Sequence, residues 1–197
     1  MTLKSAVLAL AVATAISPSA ALHASETSFF GLEIGKPVSL GDCTPQDFSP
    51  SEDSHICVAR RKSDSSLLPW GQVDNLLHVP VKHWRPWGPK DMMISEFSGE
   101  VVQIFAQTHG HSYQDEALAD LSNKYGKPQI LRKTPLQNRT GAKFFGLYAE
   151  WKMSGFKIVL KGVDGSIDSG SITIRSDRAR DMDAAADKWR SANKPGL

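Results

Sequence analysis

Residues 100–128, EVVQIFAQTHGHSYQDEALADLSNKYGKP, decide the fold. From Glu100, VVQIFAQT alternates apolar and polar positions as a half-buried strand does, and it runs directly into a helical pattern. Ser112 stands where an N-cap is expected, with Asp115 at the third helical position close to the positive end of the helix dipole. Ala117, Leu118, Leu121 and Tyr125 then recur at helical spacing and form one apolar stripe. Gly126 supplies a left-handed C-terminal residue, and Pro128 forbids continuation.

Downstream of this strand–helix unit the period changes from helical to extended. Residues 129–133, 143–153, 156–163 and 171–175 read as strands joined by turn-rich links, among them Ser154-Gly155 and the run from Asp164 to Gly170. Short links between successive strands imply an antiparallel meander. The chain closes with a helix over 177–192, where Ala179, Met182, Ala186 and Trp189 make an apolar stripe; Trp151 and Trp189 both sit on patterned elements and are expected in the core. Upstream, FFGLEIGKPVSL (29–40) reads as two short extended pieces around a turn, and 55–60 as a strand. Within 62–90 four prolines exclude long regular elements, leaving 73–81 as the one strand there. The expected fold is α+β: an antiparallel β-meander packed against one internal and one C-terminal helix.

The N-terminus has the three parts of a secretory leader. Lys4 is the only Lys, Arg, Asp or Glu before Glu26, residues 6–16 are almost wholly Ala, Val and Leu, and small residues follow Pro18. That apolar run is well short of the roughly 20 residues a spanning helix needs. The expectation is a signal peptide over 1–24 and a single α+β domain over 25–197, with no transmembrane anchor after cleavage and a periplasmic or, alternatively, extracellular destination. In such a compartment Cys43 and Cys57 are expected to pair, closing a short loop worth about 3 kcal/mol. Without its leader the chain carries 22 basic residues against 21 acidic ones, a balance that gives no electrostatic reason to expect nucleic acid.

Three words of the C-terminal half recur elsewhere: a helix ending KYGKP (124–128), a strand ending in Trp151, and the GxIDxGxxxI run from Gly165 to Ile174. On these the chain resembles a family of small exported proteobacterial proteins of undefined function, with a weaker echo in GLEIGKPVSLGDC (31–43). The resemblance implies export and an α+β fold and carries no catalytic residues across.

Two stretches could carry chemistry. His109 and His111 flank Gly110 at the strand-to-helix junction; in an extended segment alternate residues point to one side, so both imidazoles could meet one metal, with Asp115 one turn further on. Asp115 already has a role at the helix start, and loop histidines are usually just polar and exposed. The second stretch, HWRPWGP (83–89), sets Trp84 and Trp87 among prolines beside His83 and Arg85, residue types that dominate protein interfaces. The alternative is that both indoles fold back as lids on the sheet. No serine-nucleophile motif, free thiol or phosphate-cradling glycine loop is present, and no cofactor is expected. The sequence therefore favours a non-catalytic exported protein that binds a protein of the envelope or a secreted enzyme, as an inhibitor or immunity-type factor. A small metal-assisted periplasmic hydrolase using His109 and His111, and an envelope scaffold, are the alternatives.

Overall fold

Eight extended segments, several of them alternating apolar and polar positions, build one large antiparallel sheet. The computed structural model describes residues 28–48, 55–60, 67–80, 83, 85–88, 91–137 and 140–194. The expected leader and Trp84 lie outside these residues. A small hairpin, β1 (Ser28–Phe29) and β2 (Leu32–Glu33), precedes the sheet. The sheet strands are β3 (Cys57–Ala59), β4 (Gln72–His78), β5 (Asp91–Phe97), β6 (Glu100–Thr108), β7 (Ile130–Gln137), β8 (Lys143–Met153), β9 (Phe156–Lys161) and β10 (Gly170–Ser176). Helix α1 spans Gln114–Tyr125 and α2 spans Ala179–Ala192.

The order β3-β4-β5-β6-β10-β9-β8-β7 shows two four-strand meanders joined where β6 pairs with β10. Helix α1 is the crossover that carries the chain from β6, in the middle, to β7, at the far edge. Cross-strand register then aligns Leu77, Met92, Ala106, Ile172, Leu160 and Ala149 in one buried row, so a single apolar face forms from both meanders. Ala117, Leu121 and Tyr125 of α1 and Phe29 and Leu32 of the hairpin cover it. At about 25 cal/mol per Å² of apolar surface, this shared core is the main source of stability.

Helix α1 is tied down at both ends. Buried Gln114 donates from Nε2 to the Phe145 carbonyl at 2.8 Å and accepts from the Leu147 N–H at 2.8 Å. At the other end Gly126 adopts φ +79° and its carbonyl accepts from Trp151 Nε1 at 2.7 Å. Trp151 is fully buried, as expected. The expected Ser112 cap is not formed. Gly110–Tyr113 make a 3-10 turn instead, α1 starts at Gln114, and no side chain caps it. The backbone of 167–169 packs against Gly110, which takes φ +67°, and His111 N–H bonds the Ile167 carbonyl at 2.8 Å. That long-range packing sets the helix entry in place of the local cap.

Two further expectations change. β5 was not visible as a strand, yet it lies between β4 and β6. Trp189 is 37% exposed rather than core and lies against Trp70 with ring centroids 5.8 Å apart. Helix α2 packs on the second face through Ala179 and Met182 against Val102, with Trp70 and Phe97 beside them; Ala186 is also buried, and the last turn, with Trp189, reaches past the core.

The Cys43–Cys57 disulfide forms with Cα atoms 5.0 Å apart. Residues 41–43 bond along the outer side of β3, with Cys43 N–H to Val58 O at 3.0 Å and Val58 N–H to Gly41 O at 2.9 Å. The bridge thus covers an otherwise open sheet edge, the kind of edge that invites unwanted pairing. Asp47 holds the loop between the cysteines, accepting from Thr44 N–H at 2.7 Å, Thr44 Oγ1 at 2.8 Å and His55 N–H at 3.4 Å. These bonds, the Thr44 backbone first, hold its carboxyl below the usual carboxylate range.

Candidate functional site

The proline-broken stretch after β4 does not stay clear of the core. Trp87 is 3% exposed, packed into the main apolar cluster, and its Nε1 donates to Asp120 Oδ2 of α1 at 2.8 Å. A tight turn shapes the segment, with Gly88 N–H bonded to the Arg85 carbonyl at 2.9 Å, and Trp87 O accepts from His109 N–H at 3.3 Å. Of the two readings the sequence left open, Trp87 therefore follows the inward one. His83 and Arg85 remain exposed.

Between this loop, the β1–β2 hairpin and α1 lies a cleft of about 420 Å³. Phe29, Phe30 and Trp87 give it aromatic walls; Arg85, Asp120, Asn123 and Lys124 give it polar ones. Phe30 reaches the cleft by an unusual backbone. Phe30 and Gly31 are the two central residues of the hairpin turn, with φ of +50° and +82°. Gly31 suits that geometry, whereas a bulky residue there costs on the order of 1 kcal/mol and such strain gathers at ligand sites. The rings of Phe29 and Phe30 meet edge to face with centroids 4.9 Å apart.

Asp120, Leu121, Asn123 and Lys124 fall on the lining because positions three and four apart share a helix face, as Asp120 does with Asn123 and Lys124, and Leu121 with Lys124. Lys124 bonds the Ser28 carbonyl and lies 5.3 Å from the Tyr125 ring centroid. Burial, and after it the charge of Arg85, hold the Lys124 amine below its ordinary value. Two cations thus face one aromatic-walled space, while the carboxylate of Asp120 already accepts from Trp87. Chemically, such a space holds an anionic group attached to an apolar body; its volume is in the range of ligand pockets.

The histidine stretch is arranged differently from the expected extended segment. With Gly110 at φ +67°, His109 meets the Tyr113 ring at 5.6 Å and His111 meets Phe144 at 5.2 Å. His111 and Asp115 line a shallow cavity of about 280 Å³ that His109 does not enter. Among the described residues no three His, Cys, Asp or Glu side chains group as metal ligands. Nor is any described helix long and apolar enough to cross a membrane.

Sequence reasoning reached Arg85 and Trp87 but missed Phe29, Phe30, Asp120, Asn123 and Lys124. Phe30-Gly31 offered one signal, a bulky residue beside a turn glycine; the helix residues offered none, since they read as an ordinary solvated face. Comparison of the chain with known family models, curated proteins and solved structures finds no match.

Proposed function

We propose that this protein is a non-catalytic binding protein of an exported compartment, which engages another protein through the cleft between the 85–88 turn, the hairpin and α1. The observation that carries the reading is the convergence of Arg85 and Lys124 on one aromatic-walled cleft whose lining carboxylate is tied to Trp87. An acidic side chain with an apolar neighbour on the partner's surface would meet both features. Exposed Arg85 would supply the charge at the rim, and Phe29, Phe30 and Trp87 the desolvated floor, the division of labour found in binding hot spots. The leader pattern over 1–24 and the disulfide support an exported setting, where such a protein would block or hold a secreted or envelope enzyme.

A photo-reactive phenylalanine in place of Arg85, expressed in cells with the full chain, tests this. It should crosslink one discrete protein of the envelope, whereas the same probe at Asp187, an exposed position on α2, should not. Purified with that partner, Arg85→Glu should weaken binding about a hundredfold, by loss of one charge-assisted contact and gain of a repulsion. Absence of a discrete adduct at position 85, or unchanged affinity in Arg85→Glu, would refute the reading.

A further inference from the structure

On the sheet face opposite α1, a separate cleft of about 470 Å³ opens where the β8–β9 turn meets the start of α2. Lys152, Lys157, Arg175 and Arg180 line it together with Glu150 and Asp177. Three of these cations stand in register on adjacent strands: Lys152 pairs with Lys157, and Lys157 with Arg175. Like charges directly opposite across a ladder destabilise a sheet, and here Glu150, set between the two lysines, and Asp183, on Arg175, offset only part of that repulsion. Four cations thus stand against Glu150 and Asp177 in the lining and Asp183 beside Arg175.

The carboxylates present do not use up these donors. Glu150 Oε1 and Oε2 form ion pairs with the Lys152 and Lys157 ammonium groups at 3.9 Å, beyond hydrogen-bond distance, and Glu150 also accepts from Tyr148 Oη at 2.9 Å. Arg175 is fixed by Asp183 at 2.5 Å and by the Ala179 carbonyl at 3.4 Å, and its Nε is buried with no hydrogen-bond partner among the described residues. Among the described residues Arg180 spends only Nε, on the Asp177 backbone carbonyl at 3.3 Å. The result is a rigid guanidinium flanked by two ammonium groups and a second guanidinium, each with free donors.

We infer that this cleft binds a multiply charged oxyanion of the phosphate type, either soluble or carried on a lipid headgroup. Forked guanidinium and mobile ammonium donors together match the geometry of a phosphate group. This site is on the face opposite the Arg85 cleft and stands independently of it.

Pyrophosphate is the probe, titrated calorimetrically into the purified protein at near-physiological salt, and anionic vesicles containing phosphatidic acid, whose headgroup is a phosphomonoester, are the second arm, with phosphatidylcholine vesicles as reference. Dissociation constants at or below about 1 mM are expected, weakened about tenfold or more in Lys157→Gln and in Arg180→Gln. Lys188→Gln, also on α2, should leave binding unchanged. Tight pyrophosphate binding assigns a soluble ligand; cosedimentation with the anionic vesicles that both cleft variants abolish assigns a headgroup. Failure of both probes, or binding that the cleft variants retain, would overturn the inference. Each altered side chain is solvent-accessible, and far-UV circular dichroism verifies that the variants are folded.

Discussion

Trp87 and Asp120 offer the sharpest test of how the cleft is held together. Their hydrogen bond, at 2.8 Å, is the visible tether between the 85–88 turn and α1. A bond to a charged acceptor is worth about 1.5–3 kcal/mol, and partly exposed Asp120 can turn to water when it loses Trp87, which places the coupling near the lower end, about 1.5 kcal/mol. Trp87→Phe also loses part of a ring that is 3% exposed. Its total loss should therefore be about 2–3 kcal/mol, below the 3–5 kcal/mol of a full Trp-to-Ala truncation. Asp120→Ala by itself is ambiguous, since alanine is the better helix former by several tenths of a kcal/mol and masks the lost bond. A double-mutant cycle removes that ambiguity, because the propensity change is common to both backgrounds. Urea unfolding of the four proteins at pH 7, followed by far-UV circular dichroism, gives the coupling directly. A value within about 0.5 kcal/mol of zero would mean that the two residues act independently and that the loop is not anchored through this bond.

Replacing Cys43 and Cys57 by Ala together should lower stability by about 3 kcal/mol, or roughly 6–12 °C in Tm for a domain of this size, and the variant should respond no further to reductant in a melting experiment. Gly110→Ala should be far more damaging than an ordinary turn substitution, by more than about 2 kcal/mol, because φ is +67° and the new Cβ would meet Ile167 O at 2.3 Å; calorimetry against Gly155→Ala, where nothing lies within 4 Å, separates the steric part from the backbone part. Asp47 has a folded pKa below its unfolded one, so its contribution is complete above the ordinary carboxylate range and is lost as pH falls through the lowered value. Acid titration of wild type against Asp47→Asn should accordingly show the wild-type advantage shrinking below about pH 4, and an advantage that grew with acid would contradict the assignment.

How far the fold was legible depended on whether its cause was local. β8 coincides with the residues read as a strand, and β6, β9, β10 and α1 lie close to theirs, because alternation or helical spacing is written into each segment. β5 was hidden because Met92, Met93 and Ile94 form an unbroken apolar run behind a proline-rich stretch, and its strand state comes from being clamped between β4 and β6. The Ser112 cap failed for the opposite reason: the local pattern was good, but the packing of 167–169 on Gly110 and the docking of Gln114 on β8 moved the helix start. Trp189 fell on a valid helical stripe, yet that stripe had more length than the sheet had surface to cover.

By itself the sequence determined the α+β class, the existence and order of most elements, and the pairing of the two cysteines, since each rests on periodicity, turn chemistry or simple count. Only the tertiary structure decided what those elements bring together. Phe30, the loop residues Arg85 and Trp87, and Lys124 come from three distant parts of the chain, and they meet because the hairpin and the loop both close on the apolar face that α1 covers. The row of Lys152, Lys157 and Arg175 is likewise a product of register, where a slip of one residue would send each side chain to the other face.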